Sequence, residues 1–348
     1  MPANKSQHFV PRCYLRAFCA DDEGAAINVF NIGRELSIEG APAKGQCARP
    51  YFYGRDGDLE RALQEPEGEY GEIMRRAMDE PRVLSPDDLS TLHAFMVLQS
   101  YRSAAWIEGM IRLTEAQRAL VAEEATPELL ESMVVTHENA IVLALGAFRQ
   151  SLDATGHLET RLIINRTKVP FFTSDDPAVY TNRFHLQKNV LGGAGLSSPG
   201  GMLLMPLSPR MLLLSYDPAI YRLVGQEGEL GIIDRDADAA AVNDLQAVWG
   251  RSNLYFREWQ DRALVETAHQ VAKPRRREDW FDVENLQETA PGSGVFAPKG
   301  DSAYEPGRKE MLHTARNVPA PVGWPSILSY TLHARRAKRG LDQSGLWG

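Results

Sequence analysis

Apolar residues recur at a three-four spacing from Leu89 through Leu92, Met96, Trp106 and Met110 to Leu113, which predicts one buried face along a helix over 85–122. Its start is marked by Ser85 as a cap, Pro86 with a pre-set φ, and Asp87 and Asp88 in the positive first turn. Thr126-Pro127-Glu128 repeats the device and opens a second helix over 126–152, with Leu130, Val134, His137, Ile141, Leu145 and Phe148 inward and Gly156 as a stop. On that stripe His137 reads as a satisfied core histidine. The short turn at 123–126 makes the two helices an antiparallel hairpin.

Period-two and continuous apolar runs predict strands on both sides of this hairpin. One is 27–32, bounded by Gly24 and Gly33. Others are 161–165 and 170–173, paired about a turn at 165–168, and 202–207 and 211–215, joined by Ser208-Pro209-Arg210. An alanine-rich helix at 236–250 and a strand at 253–256 that closes the sheet follow. Earlier, 58–64 reads as a short helix, and Pro66 opens a further helix over 67–78. The pattern as a whole is α+β: a central antiparallel helical hairpin on a mixed or antiparallel sheet that draws on the N-terminal strand and on 160–215.

The last quarter differs. Lys273-Pro274-Arg275-Arg276-Arg277 is a basic run, 280–330 is rich in Gly, Pro and Ser, and Arg335, Arg336, Lys338 and Arg339 close the chain. This divides the chain into one domain at 1–272 and a basic tail at 273–348 that adds little to the core. Such runs are solvated tails or sites for nucleic acid or another acidic partner. Across all 348 residues the net charge is -8, which argues against a nucleic-acid surface over the whole chain but not against a local patch. Cys13, Cys19 and Cys47 give neither a disulfide framework nor a zinc spacing. The start lacks an apolar leader and no run is long enough to span a bilayer, so the expectation is a cytoplasmic protein without a membrane partner. The glycines at 191–195 lack the strand-to-helix setting and Lys-Ser/Thr ending of a phosphate loop.

Polar residues in apolar places locate the candidate chemistry. Gln99 interrupts the buried face of the first long helix and Arg102 lies nearly one turn beyond it; both need partners inside. Phe171-Phe172-Thr173-Ser174-Asp175-Asp176-Pro177 runs an apolar strand into two carboxylates. Glu60, Glu65, Glu67, Glu69 and Glu72 crowd one segment, where most are expected to be solvated, and His8 stands at the entry to a packed segment, Phe9 to Phe18.

These pieces, together with Tyr51-Phe52-Tyr53, Pro206-Leu207-Ser208-Pro209 and Val242-Asn243, occur in order over about residues 6–257. The opening His8-Phe9-Val10-Pro11, Tyr14-Leu15-Arg16 and Phe18 resembles that of the bacterial domain-of-unknown-function family numbered 4238. Asp176 stands where that family usually carries an amide, which weakens any role needing an amide there. The resemblance marks Ser174 and Asn243, beside Gln99, as binding positions and implies no activity.

Two functional readings follow. In the first, His8, Glu67, Arg102 and Asp175 converge as a hydrolytic site of nuclease-like phosphodiesterase type, one that admits a divalent metal. His8 or Asp175 would be base or ligand, Glu67 acid or ligand, and Arg102 the stabiliser of negative charge. In the second, the same residues form a hydrogen-bonded network that locks the N-terminal segment onto the body of a binding or sensing module. Carboxylates in excess of what one Arg requires favour the first. Ser174 as a nucleophile lacks a Gly-x-Ser-x-Gly setting.

Overall fold

The computed structural model describes residues 5–122, 125–186, 195–279, 281–299 and 307–334. Most of the glycine-rich stretch at 191–195, part of the turn at 123–126 and the basic end at 335–339 lie outside the described residues. The helices are α1 Arg12–Leu15, α2 Asp58–Asp79, α3 Pro86–Arg102, α4 Ala104–Val121, α5 Pro127–Ser132, α6 His137–Thr155, α7 Asp236–Trp249 and α8 Arg262–Ala272. The strands are β1 Ser6–His8, β2 Ala26–Asn31, β3 Leu36–Pro42, β4 Ala48–Pro50, β5 Glu159–Asn165, β6 Thr173–Ser174, β7 Val179–Thr181, β8 Met202–Ser208 and β9 Met211–Tyr216. They continue with β10 Tyr221–Leu223, β11 Gln226–Glu227, β12 Leu230–Ile233, β13 Asn253–Phe256, β14 Phe281–Glu288, β15 Phe296–Pro298, β16 Glu310–Arg316 and β17 Leu328–Tyr330. The fold is α+β, with helices packed on mixed and antiparallel sheets.

α3 begins as its sequence requires. Ser85 Oγ accepts from the Asp88 N–H at 3.1 Å, and Asp88 Oδ2 accepts from the Ser85 N–H at 2.8 Å. Leu92, Met96 and Gln99 are fully buried, and α3 packs on β5 and β9 and against α6. The helix ends at Arg102, however, and not at 122. Ser103 adopts extended backbone and its hydroxyl accepts from the Trp106 N–H at 3.2 Å, so it caps α4 as a separate helix. The helical spacing of Met96, Gln99, Ser103 and Trp106 runs through this point and conceals the break.

The second predicted helix is likewise two. Thr136 caps α6 by accepting from the Asn139 N–H at 3.2 Å. His137 is therefore the half-buried first residue of α6, its Nε2 2.9 Å from the Phe52 carbonyl, and not a member of a buried stripe. Val134 falls outside both helices and is 47% exposed. α3 and α4 both pack against α6, so the helical layer forms as expected with more joints. α2 departs in the opposite sense. Pro66 lies inside one continuous helix, leaving the Ala62 carbonyl without its i+4 donor on the exposed side of that helix.

The sheet is divided. Six strands lie in the order β11-β12-β5-β9-β8-β7, antiparallel except for the parallel β12–β5 pair. The N-terminal strand β2 belongs instead to a four-stranded antiparallel sheet, β3-β2-β13-β6. β13 closes that second sheet, and Thr173-Ser174 pairs there with β13 and not with β5. β8 and β9 are buried at every position, so their patterns hold no alternation that could specify a face or partner.

The described residues after 272 are also built into the structure. β14 pairs with β15 and β16, and buries Phe281 and Leu286. β17 pairs with β10, and Ser326 donates its N–H and hydroxyl to Asp238 at 2.8 and 2.6 Å. Arg275 Nη1 donates to Asp244 Oδ2 at 3.0 Å on α7. Its Gly- and Pro-rich composition predicts a solvated tail. A few anchors, Phe281, Leu286 and Leu328, suffice to dock it.

Candidate functional site

The predicted site residues fall into two separate networks. The first fastens the N-terminal ribbon β1–β4 to the helices. Arg102, in the last turn of α3 and 4% exposed, donates from Nε to Tyr53 Oη at 3.0 Å. Its Nη2 donates to the His8 carbonyl at 3.0 Å and to Glu67 Oε1 at 2.7 Å. Gln99 Nε2 donates to the Phe9 carbonyl at 2.9 Å. Gln7 adds Nε2 to the Gly54 carbonyl at 3.0 Å and accepts from the Tyr53 N–H at 2.6 Å. Burial opposes the charge on Arg102, but Tyr53 and Glu67 outweigh it and its pKa is raised.

His8 joins this network through its main chain. Its imidazole makes a separate bond, with Nε2 3.1 Å from the Lys44 carbonyl, and burial lowers its pKa. The cavity beside Arg102 measures about 10 Å³, about the space of one water and too small for a substrate. Among the described residues no three His, Cys, Asp or Glu side chains are grouped so as to hold a metal ion.

Asp175 belongs to the second network. β6 leads it into a turn where Oδ1 accepts from the Arg251 N–H at 2.8 Å and Oδ2 from the Ser252 N–H at 2.9 Å. Burial raises its pKa, and these amides act against that rise. Ser174 Oγ donates to Gln246 Oε1 at 2.9 Å, and Gln246 Nε2 donates to the Pro177 carbonyl at 2.8 Å. Asn243 Oδ1 accepts from the Phe172 N–H at 3.1 Å while its Nδ2 donates to the Pro170 carbonyl at 2.8 Å. Tyr14 Oη bonds Thr173 Oγ1 and the Pro206 carbonyl, each at 2.6 Å. A Cβ on Gly250 would lie 2.7 Å from Ser174 Cβ, so this crossing admits only glycine. Asp175 is thus held by the main chain at 251–252, and the carboxylate paired with Arg102 is that of Glu67.

What the Asp175 turn does position is Arg251, beside a cleft of about 350 Å³ lined by Arg112, Arg251, Arg276 and Arg277 and by Glu108 and Glu278. Arg251 stacks over Trp249 at 5.3 Å and donates from Nη1 to the Arg277 carbonyl at 2.7 Å. Its Nε has no hydrogen-bond partner among the described residues. Arg276 donates to the Ala247 carbonyl. Arg112 and Arg277 have Asp279 and Asp282 as ion-pair partners at 2.7 and 3.2 Å, and Arg49 takes Glu108. Arg251 and Arg276 have no carboxylate within 4 Å among the described residues. Burial lowers the pKa of each. Asp176 and Asp175 then act against that fall at Arg251, whereas Arg251 adds to it at Arg276.

Sequence reasoning missed these arginines. Arg276 lies in the basic run read as a tail, and Arg251 is placed only by the long-range contact of Asp175 with 251–252.

No curated protein and no solved structure matches this chain. A family model does, over residues 6–259, and it spans both networks and Arg251 while ending short of Arg276. The chain belongs to the family described as "Protein of unknown function (DUF4238)".

Proposed function

We propose that this protein is a binding module whose Arg251–Arg276 cleft takes an oxyanionic ligand, and that the Glu67–Arg102 network is structural. The observation that carries the reading is the pair of arginines that line one cleft, each lowered by burial and Arg276 further by Arg251, with no carboxylate within 4 Å of either among the described residues. Two half-buried cations lining one cleft disfavour each other more than two in open water. An oxyanion between them removes that cost, because guanidinium forks match carboxylate and phosphate oxygens in pairs. Asp175 contributes by fixing the backbone that carries Arg251. A hydrolytic centre built on His8, Glu67, Arg102 and Asp175 would need these side chains around one open space, and they lie in two networks.

The test is isothermal titration with pyrophosphate and with citrate, using the full chain and an Arg276→Ala variant. The expected result is saturable binding that weakens as salt is raised and falls at least about tenfold in the variant, about 1.4 kcal/mol. Equal binding by parent and variant would overturn the assignment. Turnover of a phosphodiester that survives Arg276→Ala but not Glu67→Gln, in a Glu67→Gln variant that remains folded, would restore the hydrolase reading.

A further inference from the structure

The cleft that holds Arg251 and Arg276 is also reached by Arg112 from α4. Arg112 Nε donates to Asp279 Oδ1 at 2.7 Å, and its Nη2 donates to the Glu278 carbonyl at 3.4 Å. Arg251 Nη1 donates to that same carbonyl oxygen at 3.1 Å. The two guanidinium groups therefore adjoin. At its other end, the Arg251 carbonyl accepts from Arg276 Nη2 at 3.4 Å. Arg251 is thus joined to Arg276 at its main chain and to Arg112 at its tip, and the three arginines form a row with Arg251 in the middle.

This row is open to a ligand. The Arg112 side chain is 41% exposed, and Arg251 and Arg276 are half-buried. Arg112 Nη1 and Arg251 Nη2 have no hydrogen-bond partner among the described residues. Asp279 is as exposed as Arg112, so solvent weakens their pair and leaves Arg112 able to share a second anion. Burial lowers the Arg251 pKa, Asp176 and Asp175 oppose that fall, and Arg112 adds to it. Of the two carboxylates lining the cleft, that of Glu108 is paired with Arg49 at 2.5 Å, and Glu278 is exposed, where salt screens its repulsion. The cleft volume of about 350 Å³ is that of roughly a dozen liquid waters, which a lone phosphate would leave mostly unfilled.

Resting on the reading of this cleft as an oxyanion site, we propose that its ligand carries a diphosphate group, with one phosphoryl between Arg276 and Arg251 and the next between Arg251 and Arg112. Each guanidinium offers paired N–H groups to phosphoryl oxygens. A single phosphate would engage one interval of the row and leave the other cation without its anion.

The experiment is calorimetric titration of the full chain with inorganic phosphate and with pyrophosphate, repeated in Arg112→Gln, Arg277→Gln and Arg276→Ala. Arg277 lines the same cleft, but its Nη1 is committed to Asp282 and to Asn317, so its variant measures the loss of one positive charge alone. The parent should bind pyrophosphate at least about tenfold more tightly than phosphate. Arg112→Gln should cost pyrophosphate at least about tenfold more affinity than it costs phosphate, whereas Arg277→Gln should weaken the two alike. Circular dichroism checks that the variants fold. One affinity for both anions in the parent, or equal losses of both in folded Arg112→Gln, would overturn the diphosphate assignment and leave the oxyanion reading standing. Absence of binding by either anion, or binding indifferent to Arg276→Ala, would overturn that reading and this assignment with it.

Discussion

Replacing Glu67 by glutamine tests the structural role of the first network. The Arg102 side chain is 3% exposed and the Glu67 side chain 29%. Breaking a fully buried pair costs about 3–5 kcal/mol. Here solvent reaches the carboxylate and screens it, the amide oxygen of glutamine still accepts, and Arg102 retains Tyr53 and the His8 carbonyl. The expected loss is therefore smaller, about 2 kcal/mol. Urea unfolding followed by tryptophan fluorescence would read it as a lower midpoint at constant slope. A cycle with Arg102→Met should give a coupling of at least about 1 kcal/mol. Because Arg102 and Gln99 hold the carbonyls of His8 and Phe9, the Phe9 amide, bonded to the Cys47 carbonyl at 2.9 Å, should exchange faster in Glu67→Gln. An unchanged midpoint with zero coupling would refute the claim that this pair secures the N-terminal segment.

Three further outcomes follow from the geometry. Gly250→Ala should lower stability by about 1–3 kcal/mol, since its new Cβ would meet Ser174 at 2.7 Å, and should weaken pyrophosphate binding by displacing the Asp175 turn; a parent-like melt would count against it. His93 bonds the Ser215 and Thr155 hydroxyls at 2.9 and 3.0 Å, and burial lowers its pKa from 6.5 to about 4. The unfolded chain thus takes up this proton first, so the stability His93 contributes is complete above 6.5 and falls as pH drops from 6.5 toward 4. By pH 5 the loss is about 2 kcal/mol. That part of the acid destabilisation should vanish in His93→Gln. Truncation before residue 278 should lower the unfolding midpoint markedly, because Phe281, Leu286 and Leu328 are buried; an unchanged midpoint would mean that this segment is dispensable to the core.

Much of the fold was legible where local chemistry determines it. Ser85, Thr126 and Asp236 each precede or open a helix, and the hairpin of β8 and β9 turns at Ser208-Pro209-Arg210 as its apolar runs imply. Ser103 was not legible as a cap, because the helical spacing continues across it and periodicity cannot tell one helix from two in line. The partner of Thr173-Ser174 was also hidden, since strand pairing between distant segments is decided by packing. The need of Arg102 for internal partners was correct, and Glu67 was rightly among them. Asp175 is satisfied instead by the 251–252 amides, and backbone amides leave no mark in a sequence. The same limit hid the cleft, where Arg251 is positioned by the main chain and Arg276 comes from a run that composition alone reads as solvated.

The central claim is that Arg251 and Arg276 together hold an oxyanion. Crystals of the full chain soaked in tungstate, a heavy phosphate analogue, would test it directly by anomalous scattering. An anomalous peak between the two guanidinium groups in the parent, lost in Arg276→Ala crystals of the same form, is the expected result. A peak that persists there without Arg276, or one found only at other sites, would contradict the account.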